Sequence, residues 1–267
     1  MNKKIFENYK FKKENYNFWL KRLKNQKESL VCTKDENLDL LEENQILNNL
    51  KNNRTILELG CGNGLILEKI IKKKKIKKYL GTDFVSELID YCKNKFKSNN
   101  LTFRNLDMTQ ISNSTFSENF DYIISKRALQ NILSYKLQLK TIDNAGFFLK
   151  KKGLMILVES SASAQNNLNK LRKIYKLSKI KPPFHNLFID DNKLKKFKFK
   201  NIKLHKVISF SSNFYFTSRI IYALYAKNFL KKAPKYNHPL NLIASSLKNN
   251  LISEDLSQIK TYIFKKK

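Results

Sequence analysis

Residues 56 to 64 read Ile-Leu-Glu-Leu-Gly-Cys-Gly-Asn-Gly, an apolar run that breaks into alternating glycines, and no other segment constrains the fold so tightly. Ile56, Leu57 and Leu59 suit a buried strand. Gly60, Gly62 and Gly64 let the chain turn sharply and bring its backbone close to a ligand before a helix that starts near Leu65. The pattern predicts a strand that hands over to a nucleoside-binding loop.

Glycine spacing separates two versions of that loop. Dinucleotide-binding loops use G-x-G-x-x-G and place a pyrophosphate at the helix N-terminus. Here the spacing is G-x-G-x-G, and Leu65 stands where the longer fingerprint needs its third glycine. With Glu58 in front, the run resembles motif I of class I S-adenosylmethionine (SAM) dependent methyltransferases. That resemblance implies a loop wrapped around the amino-acid end of SAM, with Glu58 helping to orient it.

Strand and helix patterns alternate from Arg54 onward, which argues for an α/β fold with a parallel sheet and helices on both faces. Strands are expected at about 54–59, 78–83, 101–105, 120–125 and 153–159, and helices at 64–74, 86–97, 135–149 and 163–178. Residues 201–210 and 259–264 supply two more strands, with a helix over 214–232 between them. The resemblance implies a Rossmann-like seven-stranded, mostly parallel sheet closed by an antiparallel sixth and seventh strand. Helical patterns over residues 5–30, including Phe11, Phe18, Trp19 and Leu23, and over 36–50 precede it. Residues 1–50 are thus expected to form an N-terminal helical cap. Residues 51–267 are expected to form the methyltransferase domain, with substrate-cap insertions at about 160–192 and 212–255.

Asp83 lies at the end of the second strand, where a carboxylate can accept both hydroxyl protons of a ribose, and Phe84 can pack on an adenine face. In the family resembled, the acidic residue after the third strand accepts from the adenine amino group and its neighbour lends a backbone amide. Asp107 and Met108 match. After the fourth strand comes Ser125-Lys126-Arg127-Ala128-Leu129-Gln130-Asn131, on the strand edge that faces the ligand crevice, so Ser125 joins the cofactor set. The Asn/Asp-Pro-Pro-aromatic and Pro-Cys motifs of enzymes that methylate nucleic-acid bases are not found there. Arg127, one of six arginines in a chain that otherwise chose lysine, offers a planar fork for a carboxylate or phosphate, or for a salt bridge.

Methyl transfer from a sulfonium is an in-line displacement, helped by positioning and, for a hydroxyl acceptor, by a base. Glu159 at the end of the fifth strand and His185 in Pro182-Pro183-Phe184-His185-Asn186 are the leading candidates, with His238 third and His205 expected to be exposed. The three cysteines, Cys32, Cys61 and Cys92, have no metal-ligand spacing, so neither a metal nor a disulfide framework is expected.

The formal charge of +31 rests on 53 Lys and Arg against 22 Asp and Glu, nearly all of it lysine. Such lysine runs are mostly solvated surface, yet they favour anionic partners over neutral ones. No run of about 18 apolar residues marks a membrane span, and no secretory signal opens the chain, so a cytoplasmic location is expected. The segments around residues 125–159, 167–172 and 182–188 look like a bacterial methyltransferase subgroup associated with surface-polysaccharide and other small-metabolite pathways. Together these readings lead to SAM as cofactor and to O- or N-methylation of a small, anionic metabolite such as a sugar, sugar nucleotide or glycan precursor. An RNA methyltransferase using the basic surface, or a SAM-binding partner subunit without catalysis, are the alternatives.

Overall fold

A computed structural model describes residues 3–247 and 252–267, with side chains from residue 12 onward, so Phe11 lies outside the described side chains. Seven strands form one sheet in the order β3-β2-β1-β4-β5-β7-β6: β1 (Arg54–Leu59), β2 (Ile76–Asp83), β3 (Leu101–Asn105), β4 (Phe120–Lys126), β5 (Leu149–Ser160), β6 (Ile202–Ile208) and β7 (Ile259–Lys266). Strands β1 to β5 pair in parallel, and β7 runs antiparallel to both β5 and β6. Only β7 is therefore reversed, because it inserts between β5 and β6 rather than following β6 at the edge. The chain leaves β1 toward β2 and leaves β4 toward β5, on opposite sides of the β1–β4 pair. That reversal opens a crevice beyond the C-terminal ends of these two strands, where open α/β sheets bind ligands.

Both faces of the sheet are buried, and the period-2 geometry of a strand divides its residues between two cores. Ile56, Ile124 and Ile156 pack on one face with Ile46, Leu67 and Phe214, while Leu57, Ile123 and Met155 pack on the other with Ile142, Phe148 and Phe264. Helices α1 (Lys3–Asn25), α2 (Glu36–Leu47), α3 (Leu65–Lys73), α4 (Ser86–Lys95), α5 (Tyr135–Phe147), α6 (Ala162–Ile174) and α7 (Asp191–Lys196) account for the first two hundred residues. Strand β5 starts at Leu149, four residues before its expected start, and runs through Lys151-Lys152-Gly153. Leu149 pairs with Phe120 and Leu154 with Tyr122, so a bulge absorbs the extra residues and the glycine needs no turn.

Between β6 and β7 the chain forms α8 (Ser212–Phe216), a π-helical turn (Thr217–Ile221), α9 (Tyr222–Tyr225), a second π turn (Ala226–Leu230) and α10 (Pro239–Ser246). The helix read from the sequence over 214–232 is thus one rod with two π turns. Among the described residues no helix is long and apolar enough to cross a membrane.

A buried ion network fastens α2 to the end of β4. Lys126 Nζ lies 2.6 Å from Asp39 Oδ1, and the Arg127 guanidinium meets Glu42 at 2.6 and 2.7 Å. Burial pulls the Arg127 pKa down, but the charges of Glu42 and Asp39 more than offset this and raise it. Removing one partner of such a pair strands the other. Glu42→Ala is therefore expected to destabilise the fold by about 3 kcal/mol, measured as a lower urea midpoint.

Candidate functional site

One cavity of about 680 Å³ occupies the crevice, within the range of roughly 300–1,000 Å³ typical of small-molecule sites. The glycine loop forms one wall. Gly60, Gly62 and Gly64 all have positive φ (72°, 56° and 76°), and a Cβ on Gly60 would sit 2.2 Å from Ala128 Cβ. The loop after β1 and the loop after β4 therefore touch there, and only glycine lets them. Gly60→Ala is expected to destabilise the protein by about 2 kcal/mol or more and to weaken SAM binding, read by thermal unfolding with and without the ligand. Gly64 does not line the cavity: it starts α3 in a left-handed conformation, against Phe96.

Asp83 closes β2 and is 7% exposed. Its two oxygens accept the Gly62 and Val85 N–H groups, both at 3.0 Å, and no cation pairs with it among the described residues. Burial pushes this carboxyl up to about 6 despite those two amides. A buried carboxylate facing a cavity, held by amides and lacking a counter-ion, suits hydroxyl donors. Such donors bind the ionised form, so binding to this site is full above about pH 6 and lost as pH falls through that value. Affinity for SAM is expected to drop roughly tenfold from pH 7 to pH 5, with proton release on binding at the lower pH, both measurable by calorimetry.

Phe84, Asp107 and Met108 continue the same wall. Asp107 Oδ1 accepts the Thr109 N–H and hydroxyl at 2.9 and 2.7 Å, and Lys12 of α1 reaches Oδ2 at 2.5 Å. Burial opposes the charge of Asp107, but Lys12 and Thr109 prevail and hold its carboxyl below the usual range. Lys12 thereby brings α1 over the cavity, a contribution that nothing local in the sequence announces.

Besides Gly64, three of the expected site residues stand outside the cavity lining. Glu58 is not part of the cavity lining; it is buried and accepts the Tyr79 hydroxyl at 2.6 Å, and burial pushes its carboxyl up to about 8. Ser125 is fully buried and donates to Glu159 Oε1 at 3.0 Å. Glu159 also accepts the N–H groups of Ala128, Leu129 and Gln130 at 3.0 to 3.3 Å. Oε1 takes three of these donors and Oε2 that of Gln130, and Glu159 has no accessible surface and does not line the cavity, so an acceptor does not reach it. Glu159 is thus a positioning residue that holds the loop after β4, which corrects its expected role as a base. Arg127 lines the cavity, with its guanidinium already paired to Glu42.

His185 does line the cavity, packed against α1: its ring centroid lies 4.2 Å from Phe18 and 5.6 Å from Trp19. Burial, with the charges of Arg22 and Lys34, pulls the imidazole down to about 4, so it is neutral near pH 7. His238 instead caps α10, accepting the Leu240 N–H, and stacks on Tyr222.

Arg219, in the first π turn, was missed by sequence reasoning. Its guanidinium pairs with Asp35 at 2.5 Å and lies 5.7 and 5.2 Å from the Tyr215 and Tyr236 ring centroids, and all four residues line the cavity. Arg22, Lys34 and Lys181 also line it and have no carboxylate partner among the described residues. The signal that drew attention to Arg127, an arginine in a lysine-rich chain, applies equally to Arg22 and Arg219.

A Rossmann-like methyltransferase fold, with its nucleoside pocket at the reversal point of the sheet, is the class these features define. The chain belongs to the methyltransferase domain family, whose model matches residues 50–202. The protein of Invertebrate iridescent virus 6 named as methyltransferase 235L is 26% identical over 146 residues, which is 54% of this chain and 52% of that one. The chain thus matches about half the length of this curated relative. The fold is shared with a structure of the complex between the Haloferax volcanii Trm112 methyltransferase activator and a methyltransferase (TM-score 0.58, 12% identity, 86% of this chain and 91% of that chain). It is shared too with Haemonchus contortus phosphoethanolamine N-methyltransferase 1 in complex with phosphoethanolamine and S-adenosylhomocysteine (TM-score 0.57, 15% identity, 95% of this chain and 48% of that chain).

A methyltransferase domain of this fold takes SAM as its methyl donor, and the residues present fit it. Gly60 and Gly62 bring bare backbone to the cavity wall, and Asp83 is a buried carboxylate on it without a cation among the described residues. When bound, SAM supplies an electrophilic methyl on sulfur.

Proposed function

We propose that the protein transfers the methyl group of SAM to an oxygen or nitrogen of a small anionic metabolite. The observation that carries this reading is one cavity whose lining includes both the glycine loop with Asp83 and the cations Arg22, Lys34, Lys181 and Arg219. Gly60, Gly62, Asp83, Phe84, Asp107 and Met108 hold the cofactor in this reading, and these cations hold the acceptor's phosphate or carboxylate. Residues 1–50 act as a helical cap over the site, since α1 and α2 bring Lys12, Phe18, Trp19 and Leu38 to the cavity wall. The insertions at about 160–192 and 212–255 complete it through His185 and Arg219. A sugar phosphate, sugar nucleotide or glycan precursor fits such a pocket, as does a phosphorylated amine of the kind bound by the nematode enzyme. Function in the cytoplasm and in polysaccharide biosynthesis accords with such an acceptor.

The RNA reading draws support from the net charge of +31. Against it, much of the cationic wall is already neutralised by Asp35, Asp39, Glu42 and Asp107.

An assay of S-adenosylhomocysteine release, run in parallel on sugar phosphates, sugar nucleotides, phosphorylated amines and bulk RNA, tests the choice. Turnover is expected with a small anionic acceptor, and Arg219→Leu is expected to raise its KM about tenfold or more, as removal of one charge-assisted contact does. Turnover on RNA alone, falling steeply with salt, contradicts the reading.

A further inference from the structure

The rod that runs from α8 through the second π turn is apolar on its outer side as well as its inner one. Ile220, Tyr222, Ala223 and Ala226 are buried, which is the ordinary inner face of a surface helix. Ile221, Tyr225 and Phe229 stand four residues apart and share the outer side. They are 46%, 41% and 74% exposed, and the rings of Tyr225 and Phe229 stack on each other at 5.5 Å. Half-buried Leu224 and exposed Asn228 complete this side, so it carries no charge.

The apolar surface continues onto a neighbouring element. Lys227 Nζ donates to the Lys176 carbonyl at 2.9 Å, which brings the rod against the end of α6, where Ile174 is 73% exposed and Tyr175 is exposed beside it. The fold leaves this surface uncovered, and none of these residues lines the cavity.

Charge indicates what covers it. Residues 160–253, which include α6, the rod and α10, contain nineteen Lys and Arg against two acids, while the rest of the chain has 34 against 20. The excess is thus concentrated here beyond the general lysine richness of the chain. Both acids are spent: Asp190 caps α7 and pairs with Lys193, and Asp191 is buried against Lys260. Asp35 and Glu36, at the start of α2, meet the insertion at Arg219 and Asn237. Lys231, Lys232 and Lys235 follow Phe229 closely, and Lys173 and Lys176 flank Ile174 and Tyr175. All five are exposed, and none pairs with a carboxylate among the described residues.

Three kinds of occupant suit an apolar surface in general, and two of them fit this one poorly. A second copy of the chain would bring two lysine-rich, acid-poor faces together, which like-charge repulsion opposes. RNA would meet the charge and stack on Tyr225 and Phe229, but Ile174 and Ile221 offer it neither a ring nor a hydrogen bond. An anionic bilayer uses both parts of the surface. Aliphatic and aromatic side chains enter the headgroup boundary while lysines meet the lipid phosphates.

We infer that this rod and the end of α6 seat the protein on the surface of an anionic lipid bilayer. Ile221, Tyr225 and Phe229 enter the interface, and Lys231, Lys232 and Lys235 bind the headgroups. Tyr215 and Arg219 of the same rod line the cavity, so docking brings the site to the bilayer rather than leaving it in bulk solvent.

Flotation with vesicles tests this, using phosphatidylcholine alone and phosphatidylcholine mixed with phosphatidylglycerol at about three to one. The protein is expected to float with the anionic vesicles and to stay behind with phosphatidylcholine. Phe229→Glu is expected to weaken binding about tenfold or more, and so is the double variant Lys231→Glu/Lys232→Glu, since each charge near the surface counts for about fivefold. These side chains are exposed, so both variants are expected to keep the native melting temperature and affinity for S-adenosylhomocysteine. Lys75→Glu/Lys77→Glu makes the same charge change around the start of β2, the end of that strand opposite Asp83, and is expected to alter binding by less than about threefold. Failure to float with anionic vesicles overturns the inference, as does flotation that ignores Phe229 or a control pair that loses as much as Lys231 and Lys232. Tighter binding to single-stranded RNA with the same dependence on Phe229 overturns it in favour of nucleic acid. A dimer in sedimentation that Phe229→Glu dissolves overturns it in favour of self-association. None of these readouts requires methyl transfer, so they stand or fall apart from the function proposed above.

Discussion

Asp83→Ala is expected to reduce the affinity for S-adenosylhomocysteine by 100-fold or more. Asp83 is the buried carboxylate on the cofactor wall that faces no cation, and two hydroxyl donors of a ribose would each make a charge-assisted bond worth about 1.5–3 kcal/mol. About 1.4 kcal/mol is a factor of ten in affinity, so loss of both exceeds 100-fold. The alanine also frees the Gly62 and Val85 N–H groups, which Asp83 now holds at 3.0 Å, and loosens the glycine loop itself. Asp83→Asn keeps the shape and one acceptor oxygen, and is expected to fall between the two. Calorimetric titration on variants that melt cooperatively checks both, and an alanine variant that binds within about twofold of the native protein contradicts the assignment.

Glu159→Ala is expected to cost about 3 kcal/mol of stability or more, because it strands the N–H groups of Ala128, Leu129 and Gln130 at about 1 kcal/mol or more each. Burial pushes the Glu159 carboxyl up to about 7, a value that taken alone resembles a catalytic base. Geometry decides otherwise, since the same burial that raises the pKa removes the group from the cavity. The folded pKa lies above the ordinary carboxylate value, so this group's contribution to stability is fully present below about pH 4.5 and lost as pH rises through 7. Urea unfolding of Glu159→Ala separates the roles: a positioning residue loses stability, whereas a base loses turnover with stability unchanged.

The parts of this protein that follow from short-range rules were readable in the sequence. Apolar runs with a period of two specify strands buried on both faces, and Gly60, Gly62 and Gly64 specify a loop that no residue with a Cβ can trace. Strand ends then place Asp83 and Asp107 at the crevice, because the sheet topology fixes where successive strands stop. Residues that act across the fold were not readable in this way. Lys12 meets Asp107 across 95 residues and Arg219 meets Asp35 across 184, and neither partner carries a local pattern that points to the other. Glu159 shows the converse: its position at a strand end was legible, but its four donors come from the loop after β4 and from Ser125, which only the folded chain brings together.

The glycine spacing after β1 sets the central claim, that this pocket takes SAM and not a dinucleotide. Calorimetric titration of the native protein with S-adenosylhomocysteine, and separately with NAD+, tests it most directly. One site per chain filled by S-adenosylhomocysteine at about micromolar affinity, with the heat abolished in Asp83→Ala and no heat from NAD+, is the predicted result. Preferential binding of NAD+, or S-adenosylhomocysteine binding that ignores Asp83, contradicts it.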